Sequence, residues 1–388
     1  QLYVTASPEE ATRQYLYRVE IPGGNLHRVT PKELQGTNGY RFSPDASLAV
    51  TTHSTMDRPP VVRLVSLPDH ETIRMLAENK KLKDTLAEVT QEPVEFFQVP
   101  TGEKWDDGSP VVLDGWCIRP PDFDPKKRYP VLIYVYGEPA GTTVRDRWPG
   151  STGLWHKMLA QQGYFVMSFD NRGTPAPKGR KWRKCIYRKV GIIAPRDQAD
   201  ALREVLKRRP YLDPERTAIW GWSGGGSMSL NAIFKYPDLY HAAMAVAPVP
   251  NQRAYDTIYQ ERYMGLPSEN VEGYREGSPI TYAHQLQGDL LVVHGTGDDN
   301  CHYATVEKLF DELIRHGKQF TMMAYPNRTH SIRERAGTTM HLRTLLTNYL
   351  QDHVPPGGRP PAAEKTPATE AKPSNPQKKK KEAKHGSE

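Results

Sequence analysis

Thr217-Ala218-Ile219-Trp220-Gly221-Trp222-Ser223-Gly224-Gly225-Gly226-Ser227-Met228 is the stretch that decides the fold. Thr217–Gly221 reads as a buried strand. Gly225–Lys235 reads as a helix that ends before Pro237. Between them sits the pattern Gly-x-Ser-x-Gly. A strand running straight into it and a helix running straight out describe a nucleophile elbow, a strained turn that exposes a serine hydroxyl at the edge of a sheet. Small residues on both sides let the strand and helix approach closely. The competing reading is a glycine-rich helix start that binds phosphate. It lacks both the lysine of a P-loop and the G-x-G-x-x-G spacing.

Outward from this turn, strands and helices alternate. Pro130–Tyr136 is an apolar strand, Leu154–Gln162 a helix and Tyr164–Phe169 a strand. Asp197–Arg209 carries Leu202, Val205 and Leu206 at helical spacing. His241–Val246 and Asp289–His294 are further strands. Ala304–His316 is a helix with Gly317 placed as its C-terminal cap, Gln319–Tyr325 a strand and His341–Leu350 a closing helix. This alternation predicts an α/β fold with a mostly parallel sheet covered on both faces, over residues 88–353. Functional residues are then expected where strands end and helices begin.

The flanks read differently. Residues 1–87 are rich in short strands, such as Gln14–Glu20 and Val61–Leu67, broken by Gly23-Gly24, Pro31, Gly36 and Pro59-Pro60. Tyr40-Arg41-Phe42-Ser43-Pro44-Asp45 looks like the Ser-Pro-Asp turn of propeller repeats. A blade takes roughly 40 to 50 residues, so this segment supplies about two blades, an incomplete propeller remnant. Residues 354–388 are expected to be a disordered Pro/Lys-rich tail. From Pro355 onward there are seven prolines, eight Lys or Arg, four Asp or Glu and the run Lys378–Lys381.

That tail changes the meaning of the charge. The chain has 388 residues and a formal charge of +7, and the tail supplies +4 of it. No aromatic-basic surface pattern or nucleic-acid motif accompanies the charge, so a nucleic-acid partner is not expected. The tail reads as a solvated segment, or alternatively as an anchor for an anionic surface. No run reaches the ~18 to 20 apolar residues of a membrane span. Cys117, Cys185 and Cys301 form neither a zinc motif nor a disulfide framework. No metal or other cofactor is expected.

A serine hydroxyl needs a base, and the base a carboxylate. On this template the order is serine, acid, histidine. Asp298 and Asp299 follow the strand that ends at His294-Gly295. His330 follows the strand that ends at Tyr325. His294, at a strand end before glycine, reads as structural, and His302 is too close in sequence to the acid to reach Ser223 from the other side. The N–H of Gly224 is a candidate oxyanion donor. Tyr136 lies at the end of the Val131–Tyr136 strand, where it reads without further context as a strand-end aromatic.

Several motifs now stand in one order: Gly221–Gly226; His294-Gly295-Thr296-Gly297-Asp298-Asp299-Asn300; Tyr325-Pro326-Asn327-Arg328-Thr329-His330; Asp170-Asn171-Arg172-Gly173; and Tyr259-Gln260-Glu261-Arg262-Tyr263-Met264-Gly265. Over about residues 88 to 352 the chain resembles the C-terminal part of the prolyl oligopeptidase family, and within it the bacterial dipeptidyl peptidase IV-like members. The resemblance implies an α/β-hydrolase fold and a serine peptidase that cleaves peptides after proline or a small residue. Its nucleophile would be Ser223, its acid Asp298 and its base His330. Tyr136 and the Gly224 N–H would form the oxyanion hole. Asn300 would hold the carbonyl of the preceding residue, and Tyr255, Tyr259 and Val249 would line a small flat pocket.

The sequence departs from the family's pattern at Gly224, where an aromatic is usual, and at Gln252, where a pocket tryptophan often stands. Cys301 stands where valine is usual and Ser331 where glycine is common. In this family a complete propeller caps the site and supplies paired glutamates for the substrate's amino terminus. Glu9-Glu10 lie in a loop at the wrong end to be that pair, and the chain is expected to be incomplete at its front. The resemblance also implies a peptide substrate and allows a homodimer. It implies a periplasmic or secreted location if a signal peptide preceded Gln1. A carboxylesterase using the same triad and a non-catalytic module with an inherited fold are the competing functions.

Overall fold

A computed structural model describes residues 1–89 and 92–361. The chain opens with two antiparallel sheets. β1 (Leu2–Ala6), β2 (Tyr15–Val19) and β3 (His27–Arg28) form the first. β4 (Thr37–Phe42), β5 (Leu48–Ser54), β6 (Val61–Ser66) and β7 (Thr72–Ala77) form a four-stranded meander. The Ser-Pro-Asp turn joins β4 to β5. There Asp45 accepts hydrogen bonds from the Ser43 hydroxyl (2.6 Å) and the Ser47 hydroxyl (2.8 Å). A four-stranded antiparallel meander is the unit from which a propeller blade is built. Helix α1 (Lys80–Ala87) follows.

The remaining strands make one eight-stranded sheet: β8 (Glu95–Lys104), β9 (Pro110–Ile118), β10 (Tyr129–Tyr134), β11 (Phe165–Asp170), β12 (Leu212–Trp222), β13 (Ala242–Val246), β14 (Asp289–Gly295) and β15 (Thr321–Tyr325). Their order is β15-β14-β13-β12-β10-β11-β9-β8. Pairing is parallel from β11 through β15 and antiparallel where β9 meets β8 and β11. A mostly parallel sheet with an antiparallel second strand and a β10/β11 crossover is the α/β-hydrolase architecture. The sequence pattern misses β8, which alternates exposed and buried positions and contains Pro100. An edge strand tolerates both features.

Both faces are covered. Helices α2 (Gly150–Gln161), α3 (Gly179–Lys184), α4 (Ile193–Arg208), α5 (Gly224–Lys235), α6 (Thr257–Met264), α7 (Val271–Gly277), α8 (Tyr303–Arg315) and α9 (Thr338–His353) complete the fold. The period of two divides each strand between two cores. Val131 and Ile133 of β10, with Leu290 and Val292 of β14, pack with Leu202, Ile233 and Leu309 from α4, α5 and α8. Leu132, Leu291 and Val293 point the other way, to Trp155 and Leu159 of α2 and Leu346 and Leu350 of α9. Each such fully buried aliphatic side chain stabilises the fold by roughly 1.5–3 kcal/mol.

One boundary differs from the sequence reading. Residues 354–361, expected in a disordered tail, dock onto the sheet. Val354 is fully buried and its carbonyl accepts from the Tyr164 hydroxyl (2.6 Å). Arg216 donates to the carbonyls of Pro355 and Gly357, and Arg359 pairs with Asp213 (2.6 Å) and Glu215. Composition alone misses this because the partners lie some 140 residues away. The rest of the predicted tail, 362–388, lies outside the described residues. The N-terminal sheets are also tied to the large sheet, through Asp146 in the segment after β10. Its carboxylate accepts from the Arg13 guanidinium (3.2 Å) and the Met56 N–H (3.0 Å). Its backbone accepts from the Thr37 hydroxyl (2.9 Å) and donates to the Thr12 carbonyl (2.8 Å).

Candidate active site

The turn between β12 and α5 places Ser223 at φ 59° and ψ −121°, a positive φ that costs a non-glycine residue energy. The Ser223 N–H donates to the Val246 carbonyl (2.9 Å), which holds the turn against β13. Close packing behind it requires glycine. A Cβ on Gly225 would lie 2.2 Å from the Val135 carbonyl oxygen and 3.3 Å from the Tyr136 Cα. Gly225→Ala is therefore expected to destabilise the protein by about 1–3 kcal/mol and to displace Tyr136, measurable by chemical denaturation. Gly224 is the first residue of α5, so its N–H has no acceptor within the helix.

The segments after β14 and β15 bring the other groups together. His330 Nδ1 donates to Asp298 Oδ2 at 2.8 Å. The other carboxylate oxygen of Asp298 accepts the N–H groups of Asn300 (2.9 Å) and Cys301 (2.8 Å). His294 Nε2 lies 3.2 Å from Asp298 and donates to the Cys301 carbonyl (2.6 Å). Burial would raise the Asp298 pKa. The hydrogen bonds from His294 and His330 outweigh it and hold the carboxyl well below the usual range. His294 is thus a buried brace beneath the acid. The Trp222 indole anchors the third loop by donating to the His330 carbonyl (2.9 Å).

Cys301 joins the two halves. Its sulfur lies within 4.8 Å of ligand atoms of both Asp298 and His330. Its thiol donates to the Asn300 side-chain oxygen (3.5 Å). Burial, followed by the Asp298 charge, pushes that thiol far up, so it stays protonated. The sequence reading marked Cys301 as a departure and gave it no position in the cluster. This Asp-Cys-His group offers three atoms a metal could bind, but all belong to the serine's own surroundings.

The remaining predicted residues are Tyr136, Asn300, Tyr255, Tyr259 and Val249. Tyr136 sits two residues beyond the end of β10, in a loop and not in the strand. Burial, then the nearby Glu138, raises its hydroxyl, so it remains a donor. Asn300 is exposed and accepts a hydrogen bond from the Tyr255 hydroxyl (2.7 Å). Tyr255 and Tyr259 meet edge to face at 5.5 Å, and Tyr259 continues to Tyr263 at 4.9 Å. Val249 is held by its N–H donating to the Ser227 hydroxyl (2.9 Å). Gln252 does not line this pocket. It is buried, with its N–H on the Ser278 hydroxyl (2.8 Å) and its side chain against Gln260. Its amide finds interior partners that solvent at the pocket wall could not better.

Glu138 is the residue that sequence reasoning passed over. It stands in the run Tyr136-Gly137-Glu138-Pro139, and a glutamate between glycine and proline after an apolar strand was the available signal. It is 7% exposed and accepts from the Tyr259 hydroxyl (2.9 Å). Burial pushes its carboxyl up to about 7, against the opposing Tyr259 hydrogen bond. The Asp170–Gly173 motif supports this loop from below. Asn171 donates to the Gly137 carbonyl (3.0 Å), and Arg172 forms a buried ion pair with Asp197 (2.6 Å).

With an α/β-hydrolase sheet, a strained serine at its edge and an Asp–His pair beside it, the site has the layout of a serine hydrolase. Residues 152–355 match the prolyl oligopeptidase family. The chain is 34% identical over 340 residues to the probable dipeptidyl-aminopeptidase B of Aspergillus clavatus, a match covering 85% of this chain and 35% of that protein. It is 30% identical over 363 residues to dipeptidyl peptidase 8 of Homo sapiens, covering 91% and 39%. The crystal structure of Porphyromonas gingivalis dipeptidyl peptidase 4 superposes with a TM-score of 0.83 at 33% identity, covering 90% of this chain and 48% of that one. A putative dipeptidyl aminopeptidase IV from Bacteroides ovatus gives 0.76 at 29% identity, covering 89% and 47%. The chain belongs to the prolyl oligopeptidase family of serine peptidases and is dipeptidyl peptidase-like. It spans less than two fifths of the length of these curated relatives. No helix among the described residues is long and apolar enough to cross a membrane.

Proposed function

We propose that the chain is the catalytic part of a serine peptidase that cleaves peptides after proline or a small residue through an acyl-enzyme. Ser223 Oγ attacks the scissile carbonyl and His330 takes its proton. Asp298 holds the imidazole by its Nδ1–H and stabilises the imidazolium that forms. The Gly224 N–H and the Tyr136 hydroxyl meet the oxyanion. The amine leaves with the proton from His330, and water then releases the acyl group. Asn300 holds the carbonyl of the preceding residue, while Tyr255, Tyr259 and Val249 receive the residue at the scissile bond. A rigid ring gains contact with aromatic faces at little entropic cost.

The observation that carries this reading is the Asp298–His330 hydrogen bond (2.8 Å) formed by the segments after β14 and β15, together with Ser223 held at positive φ in the turn after β12. Serine–histidine bonds of this kind commonly tighten only in the substrate complex. A fluorophosphonate probe tests the proposal. Wild type should be labelled stoichiometrically, and Ser223→Ala should not be labelled. An unlabelled wild type would sink it. Proline amides and short acyl esters assayed side by side separate a peptidase from an esterase.

A further inference from the structure

We propose that Glu138 determines specificity at the pocket for the scissile-bond residue, selecting a compact side chain that donates a hydrogen bond over its isostere without the hydroxyl. Serine, threonine and 4-hydroxyproline are the residues it favours, over alanine, valine and proline. The proposal rests on Ser223 being the nucleophile and on Tyr255, Tyr259 and Val249 forming the pocket.

The first argument is position. A Cβ built on Gly224 would meet the Glu138 carboxyl at 2.6–2.7 Å. The carboxyl therefore fills the space that a side chain at the first residue of α5 would occupy. It lies one side chain's reach from the carbonyl that the Gly224 N–H would hold. The second is hydrogen bonding. Tyr259 donates to one oxygen, and among the described residues nothing donates to the other. That oxygen is reached by solvent in the free protein; a bound peptide that closes over it strips its water, after which a donor on the substrate restores the bond and an isostere without one leaves the acceptor unpaired. The third is the surroundings. The titratable groups facing Glu138 are Tyr136, Tyr255, Tyr259 and Cys301, and among the described residues no cation balances it. Tyr255, Tyr259 and Tyr263 meet edge to face in one row whose middle member, Tyr259, holds the carboxyl, which suits a short neutral donor.

The test compares peptide amides that differ only at the scissile-bond residue: alanine against serine, valine against threonine, proline against 4-hydroxyproline, and lysine. Wild type should prefer each hydroxylated member by at least about tenfold in kcat/KM, as expected of a pocket built to hydrogen-bond a substrate hydroxyl. Glu138→Leu should bring each ratio to about one, while Glu138→Gln, which keeps an acceptor, should retain part of it. The ratios are internal to each protein, so a general loss of activity cancels, and the wild-type ratios stand even if a variant folds poorly. Wild-type ratios below about twofold, ratios unchanged in Glu138→Leu, or lysine surpassing the hydroxylated residues would each overturn the proposal. Fluorophosphonate labelling run in parallel separates the two readings. Labelled enzyme with flat ratios removes the role of Glu138 alone, and unlabelled enzyme removes both.

Discussion

Replacing Ser223 by alanine, or His330 by alanine, should lower kcat by on the order of 10⁴ or more. The two changes remove different parts of one unit. Without Ser223 Oγ no acyl-enzyme forms. Without His330 the hydroxyl keeps its proton and the leaving amine receives none. Because the residues act together, the double variant should be scarcely worse than either single one. The fold should survive both changes. Ser223 is held mainly by its backbone N–H on Val246, and His330 has a side chain 25% exposed. Steady-state rates on a peptide amide, with a thermal melt as control, check this. A loss below tenfold for His330→Ala would remove it as the base.

The largest effect on stability is expected at Asp197. Its carboxylate is fully buried and accepts from the Arg172 N–H (3.0 Å) and the Arg172 guanidinium (2.6 Å at the shortest contact). Arg172 is 7% exposed on its side chain, with Glu103 as a looser second partner at 3.7 Å. Burial raises the Asp197 carboxyl against the pull of Arg172, so much of the pair's Coulomb energy goes to offsetting desolvation. Removing one partner leaves the other charge buried and unpaired. Asp197→Ala should therefore cost about 3–5 kcal/mol, and an Asp197→Leu, Arg172→Met double variant should recover most of it. Chemical denaturation measures both. A cost below about 1 kcal/mol for Asp197→Ala would show that the guanidinium finds water.

The α/β alternation was readable because parallel strands buried on both faces are apolar without interruption, as in Tyr129–Tyr134 and Leu290–Val293. Helices such as α8 also carry a full apolar face at Val306, Leu309, Phe310 and Leu313. The elbow was readable because its glycines answer a local steric demand. Less was visible where partners are remote in sequence. Docking of 354–361 depends on Asp213, Arg216 and Tyr164. The inward turn of Gln252 depends on Ser278 and Gln260. Helix α6 was missed although Asp256 caps it by accepting from the Tyr259 N–H (2.7 Å), because its eight residues are too few to show a period. Glu138 was invisible as a pocket group. Its meaning arises only from the empty Cβ position on Gly224, 86 residues later.

The Asp146 tether bears on how the chain can be divided. The sequence suggests a cut near residue 88, between strand-rich front and catalytic sheet. Such a cut would keep Ser223, Asp298 and His330 and discard Thr12, Arg13, Thr37 and Met56, which among the described residues hydrogen-bond Asp146. Asp146 lies ten residues after Tyr136 on the same loop. The front sheets therefore act on that loop as a brace, and a trimmed catalytic unit would inherit the reactive groups without the support that keeps their neighbouring loop in place.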